Sequence, residues 1–201
     1  KFGKDEKTVS RVLAPAEVKG TAFLSYEWKD HRRDDESWLY LPELRKVNRL
    51  ASTDKAGYFL GSDFAYWDLT GLEIDDFDYV FVDDEPKQPD VWVILATPKS
   101  SAAERVIDET KYLKVKYWVD KQRLITLKAQ YWLNEGQRIK YYSASHITEV
   151  SGIPTVHKMQ MVMTQSGQMI HASVYELAKI DYNVPISDQE FTTYALERPV
   201  N

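Results

Sequence analysis

The sequence predicts a mainly β protein built from consecutive antiparallel strands, on three observations. Short runs alternate apolar and polar residues and break at turn residues. Aromatic residues fill 13% of the 201 positions, with 6 Trp and 13 Tyr, and such side chains suit a pleated, half-buried surface better than a helix. Helical patterns are few and short. A chain of this kind forms a sandwich, a closed barrel or an open curved sheet.

In chain order, strands are expected near residues 8–13, 21–28, 36–41, 45–51, 76–83 and 91–97. Lys29-Asp30-His31-Arg32-Arg33-Asp34-Asp35 is the charged tip of a hairpin. A helix is expected over 62–69, with Ser62 as N-cap and Asp63 near the positive helix end. A second is expected over 101–109. A third covers 187–195, with Ser187 and Glu190 at capping-box spacing.

The C-terminal half alternates most clearly. Leu113, Val115, Tyr117 and Val119 interleave with Lys114, Lys116 and Trp118, and Asp120-Lys121-Gln122 turns the chain. Ile125, Leu127, Ala129, Tyr131 and Leu133 interleave with Thr126, Lys128, Gln130 and Trp132, ending at the turn Asn134-Glu135-Gly136-Gln137. A strand over 139–146 follows, then a break at Gly152-Ile153-Pro154 and a run over 156–164. A two-residue loop at Ser166-Gly167 sets Met163 opposite Ile170, Met161 opposite Ala172 and Met159 opposite Val174. That register makes one face wholly apolar and puts Lys158 and Gln160 on the other.

Composition bounds the function. At 201 residues, 43% of them hydrophobic, the chain has enough material for one full core, and no linker or repeat divides it, so one domain over 1–201 is expected. The net charge of -5 is spread along the chain, without the basic stripe that nucleic-acid binding needs. No apolar run reaches a membrane-spanning length of about 18 residues. With no cysteine, thiol catalysis, disulfides and thiolate metal sites are excluded.

Catalytic patterns are lacking. His31, His146, His157 and His171 form no close ligand pair, and surface or strand-packing histidines account for them. Asp75, Asp76, Asp78, Asp83, Asp84 and Glu85 lack the calcium-loop pattern and read as solvated strand ends. No nucleophile elbow, phosphate loop or dinucleotide fingerprint occurs, and nothing implies a cofactor. The sequence therefore reads as non-enzymatic. Arg45, Lys46 and Arg49 form a basic patch, either a charged strand edge or a contact for anionic lipid. The stretch from Tyr58 to Leu69 is unusually aromatic. On one helix Leu60, Phe64 and Trp67 would share a face, as a core plug or as a lid over a ligand. Met159, Met161 and Met163 pose the same choice, because methionine fills both cores and adaptable binding surfaces.

Three segments stand out together: Val18-Lys19-Gly20-Thr21-Ala22-Phe23-Leu24, Trp38-Leu39-Tyr40-Leu41-Pro42-Glu43-Leu44-Arg45-Lys46-Val47, and Gly61-Ser62-Asp63-Phe64 with Asp68-Leu69. In order and spacing they resemble the bacterial outer-membrane lipoprotein-sorting protein family, which has the LolA-like (lipoprotein carrier) fold. The resemblance implies a curved antiparallel sheet forming an incomplete barrel, with a few short covering helices and an apolar concave face. Such proteins begin with a helix and further strands before the segment matching Val18, and an N-terminal segment upstream of Lys1 is therefore expected. It also implies export to the periplasm by a signal sequence outside this chain.

The function expected on these grounds is a non-catalytic periplasmic carrier or chaperone for a lipid or acylated protein. Its apolar cavity would be lined by Phe59, Phe64, Trp67, Leu113, Val115, Tyr117, Ile125, Leu127, Tyr131, Met159, Met161 and Met163. An envelope transporter or membrane protein would be a further partner. The alternative is a protein-interaction or sensor module of the envelope on the same fold, because fold bounds function without fixing it.

Overall fold

The computed structural model describes residues 5–28, 30, 33–51, 54, 56–83 and 88–199. Lys29, His31 and Arg32 of the charged tip, and Asp84 and Glu85 of the acidic run, lie outside the described residues. The chain divides into two compact units: residues 1–54 with 184–201, and residues 55–183.

The first unit carries a four-stranded antiparallel meander of β1 (Glu6–Arg11), β2 (Ala22–Glu27), β3 (Glu36–Leu41) and β4 (Lys46–Leu50). Ala22 and Leu24 of β2 are buried with Leu196, and Val9, Trp38, Tyr40 and Phe191 pack around them. Leu196 belongs to a terminal helix of only four residues, Thr193–Leu196, too short to persist without tertiary contacts. Arg11 holds it by donating to the carbonyls of Leu196 (3.1 Å) and Ala195, where the helix end is negative. The expected helix over 187–195 is interrupted. Thr192 is extended and caps the short helix through Ala195 N–H, while Ser187 caps a separate 3-10 turn over Asp188–Phe191. The carboxylate of Glu190 pairs with Arg198, away from the capping-box position.

The second unit is a seven-stranded antiparallel meander: β5 (Phe77–Phe81), β6 (Val91–Pro98), β7 (Tyr112–Asp120), β8 (Thr126–Leu133), β9 (Arg138–Val150), β10 (Ile153–Gln165) and β11 (Gln168–Glu176). Among the described residues the α-helices are α1 (Tyr66–Thr70), α2 (Ala103–Thr110) and the terminal α3 (Thr193–Leu196). The mainly β, antiparallel architecture with short helices agrees with the sequence. Among the described residues neither sheet closes on itself into a barrel.

Cross-strand pairing fixes one face of the larger sheet. One row runs Tyr79, Ala96, Val115, Tyr131, Lys140, Met163, His171 from β5 to β11. The next runs Phe81, Ile94, Tyr117, Ala129, Tyr142, Met161, Ser173. Directly paired residues of antiparallel strands share a face, so both rows lie on the same side. Phe77, Ala96, Val106 of α2, Tyr112, Val115, Ala129, Leu133 and Met163 form the core there.

The last hairpin keeps the expected loop but not the expected register. Ser166 and Gly167 both take positive φ, 50° and 81°, and Gln165 pairs with Gln168 across them. Beyond Thr164 the ladder shifts, because Ile170 is an extra residue on β11, a β-bulge. Met163 therefore faces His171, Met161 faces Ser173 and Met159 faces Tyr175. The bulge moves Ile170 and Val174 off the methionine face, and they are half exposed at 50% and 51%. Met161 and Met163 remain buried, and Lys158 pairs with Glu176.

Candidate functional site

The aromatic segment does not form one helix. Phe59 N–H bonds back to Phe64 O (2.7 Å), Tyr58 bridges Ala65, and Leu60 takes φ 52°. Ser62 is used inside this loop, donating to Phe59 O and accepting from Phe64 N–H, instead of capping a helix. Helix α1 starts only at Tyr66, where Asp68 accepts from Ala65 N–H (2.7 Å). Leu60, Phe64 and Trp67 consequently share no helical face. Phe59, Phe64 and Trp67 are nevertheless all buried.

Polar anchors fasten this segment to the sheet. Asp63 is 4% exposed; its carboxylate meets His171 Nδ1 (2.7 Å) and accepts from Ser173 Oγ (2.8 Å), while its backbone N–H donates to Ser173 Oγ (2.9 Å). These contacts exist because the bulge turned His171 and Ser173 to this face. They do not compose a nucleophilic relay, since serine and histidine both address the same carboxylate oxygen. Trp67 Nε1 donates to Glu109 O of α2 (2.7 Å).

The third anchor is a buried ion pair. Lys140 Nζ lies 3.1 Å from Asp68 Oδ2, the side chains being 2% and 3% exposed. Tyr112 closes the triangle: its hydroxyl donates to Asp68 Oδ1 (2.6 Å) and accepts from Lys140 Nζ (3.1 Å). Burial, with the Asp68 charge second, pushes the Tyr112 phenol well above its ordinary range and keeps it a neutral donor. Lys140 also lies 5.6 Å from the centroid of the Tyr58 ring.

A cavity of about 160 Å³ lies within this unit, lined by Phe64, Asp68, Leu69, Tyr117, Thr126, Tyr131, Tyr142, Met159, Met161 and Tyr175. Of the residues expected from sequence, Phe64, Tyr117, Tyr131, Met159 and Met161 meet there. Val115 and Met163 belong to the packed core. Phe59 and Trp67 are buried without lining the cavity, and Ile125 and Leu127 are half-buried beyond its wall. Leu113 lies elsewhere. It is the odd residue at a ladder shift between Tyr112 and Lys114, is 40% exposed, and borders a separate groove of about 470 Å³ with Trp132 and Ile139.

Asp68, Tyr142 and Tyr175, together with the anchors Lys140, Asp63, His171 and Ser173, were not anticipated as site residues. Lys140 carried a usable signal. The four-residue turn 134–137 sets it opposite Tyr131, and an inward tyrosine then requires an inward lysine. Among the described residues no group of three His, Asp or Glu could hold a metal, and no helix is long and apolar enough to cross a membrane.

A family model described as "Uncharacterized protein" matches residues 4–198. No curated protein matches the chain. Among solved structures, the chain is similar to an outer membrane lipoprotein-sorting protein domain from Vibrio parahaemolyticus, with 27% identity and a TM-score of 0.79, covering 98% of this chain and 79% of that one. It is similar to a DUF1329 family protein from Desulfovibrio piger, with 28% identity and a TM-score of 0.74 over the same shares, 98% and 79%. A LolA superfamily protein from Nitrosomonas europaea shares the fold, with 17% identity and a TM-score of 0.66, covering 96% of this chain and 79% of that one. These likenesses agree with the resemblance read from the three sequence segments. The chain belongs to the family whose model spans residues 4–198, and it has the LolA-like fold of outer membrane lipoprotein-sorting proteins.

Proposed function

We propose that this protein is a non-catalytic carrier that holds an acyl chain, from a lipid or a lipidated protein, in the cavity lined by Phe64, Met159 and Met161. The observation that carries the reading is the wall itself: methionine and aromatic side chains on one sheet face, covered by a segment fastened at Asp63 and Asp68. Apolar burial stabilises a bound chain by about 0.8 kcal/mol per methylene. The cavity's 160 Å³ is below the roughly 300–1,000 Å³ of pockets for drug-sized ligands. Entry of a long chain therefore requires the flexible side chains of Met159 and Met161 to change rotamer. The lipoprotein-sorting relative and the LolA superfamily fold support action in the bacterial periplasm, with an acylated protein and an envelope transporter or membrane protein as partners. Organic extraction of the purified protein, followed by mass spectrometry, should recover acyl lipid at near-stoichiometric ratio. Recovery of none, from protein produced in a cell with an envelope, would favour the protein-interaction alternative.

A further inference from the structure

The cavity has a polarity that pure hydrocarbon does not need. Tyr117, Tyr131 and Tyr142 line it, and no described residue supplies a hydrogen-bond partner for their hydroxyls. None of the three hydroxyls is sealed in dry packing, so each reaches accessible space where a ligand acceptor can take the place of water. Burial raises all three phenols above their ordinary range, and the Asp68 charge adds to this at Tyr117 and Tyr131, so all three remain donors.

The charge on the wall sets the sign of the acceptor. Asp68 borders the cavity, whereas its partner Lys140 does not, and no lining residue is basic. Carboxylates and phosphates are normally met by Arg or Lys in bidentate or charge-assisted bonds. Here a ligand anion would enter beside the Asp68 carboxylate and find no free cation on the wall, because Lys140 is already committed to Asp68. An uncharged carbonyl meets no such repulsion and accepts phenol hydrogen bonds equally well.

Resting on the carrier reading, we infer that the cavity receives the neutral carbonyl of an acyl ester or acyl amide, hydrogen-bonded by Tyr131 and by one of Tyr117 and Tyr142, and rejects free fatty-acid carboxylates. The acyl chain lies against Met159, Met161 and Phe64. Ester and amide are the two sources of this one chemistry, a glyceride or an N-acylated chain end.

The test is displacement of the neutral fluorophore N-phenyl-1-naphthylamine from the full chain at pH 8 by ligands with one common twelve-carbon acyl chain. Monolaurin (ester), N-lauroylethanolamine (amide), laurate (anion) and dodecylamine (cation) are compared. At least one of the two neutral ligands should displace the probe at about tenfold lower concentration than laurate, and which one does so names the source. Tyr131→Phe should shrink that preference several-fold while leaving laurate unchanged. Laurate equal to or better than both neutral ligands overturns the inference and leaves the carrier reading standing. Dodecylamine better than both shows that Asp68 alone selects the ligand, which overturns the role of the tyrosines. Should no acyl ligand displace the probe, the carrier reading falls and the inference with it.

Discussion

Lys140 and Asp68 come from β9 and α1 and form a 3.1 Å ion pair with both side chains almost fully enclosed. Desolvating two charges is expensive, and Tyr112 offsets part of the cost by bonding both partners. Removing one member leaves an uncompensated buried charge. Lys140→Met and Asp68→Asn should each destabilise the protein by about 3–5 kcal/mol in urea unfolding. The double variant should lose clearly less than the sum. Additive losses would mean that the pair is not coupled.

Alkaline pH should reveal the enclosed tyrosines. Burial raises Tyr112 and Tyr131 well above the ordinary phenol value of 10.0, so folding favours their protonated forms. A raised pKa contributes stability that is fully present below the unfolded value and is lost as pH climbs towards the folded one. Stability should therefore hold up to about pH 9 and fall above pH 10, by about 1.4 kcal/mol per pH unit for each such tyrosine. Tyr131→Phe should lessen the slope. Stability that stays level through pH 11.5 would contradict the burial.

The bulge at Ile170 can be checked chemically, because the chain has no cysteine of its own. Met163→Cys with His171→Cys should oxidise to a disulfide, since the two positions face each other. Met163→Cys with Ile170→Cys should not. The opposite outcome would restore the unbulged register.

Much of this fold was legible in alternation. The strand expected over 36–41 is β3 residue for residue, and the loop at Ser166-Gly167 stands where its turn chemistry put it. The bulge was not legible, because a one-residue insertion leaves the local pattern of β11 intact and only its partner reveals the shift. It mattered for the site: His171 and Ser173 reach Asp63 only after that shift. Lys140 was legible only through its register with Tyr131. Its counter-charge was not, because Asp68 lies 72 positions away. Half of the cavity wall was visible as an apolar stripe, while the tyrosines Tyr142 and Tyr175 needed the three-dimensional rows.

Asp63 fastens the covering segment to β11 through both His171 and Ser173. Asp63→Ala should cost about 1–3 kcal/mol of stability. It should also speed hydrogen exchange of the amides over 63–69 more than those of β7. Unchanged exchange in that segment would show that its apolar contacts alone hold it in place.

The carrier account is tested most directly by equilibrium uptake of N-phenyl-1-naphthylamine, read as fluorescence gain. Wild type should bind the probe saturably. Met161→Glu sets an unpaired carboxylate against the chain site, Met159→Trp fills the same space without a charge, and both should weaken uptake by about tenfold or more. Leu113→Glu, on the separate groove, should bind as wild type does. Far-UV circular dichroism should be unaltered in all three variants. No saturable uptake by wild type, or equal uptake by folded Met159→Trp and Leu113→Glu, would contradict the assignment of this cavity as the acyl site.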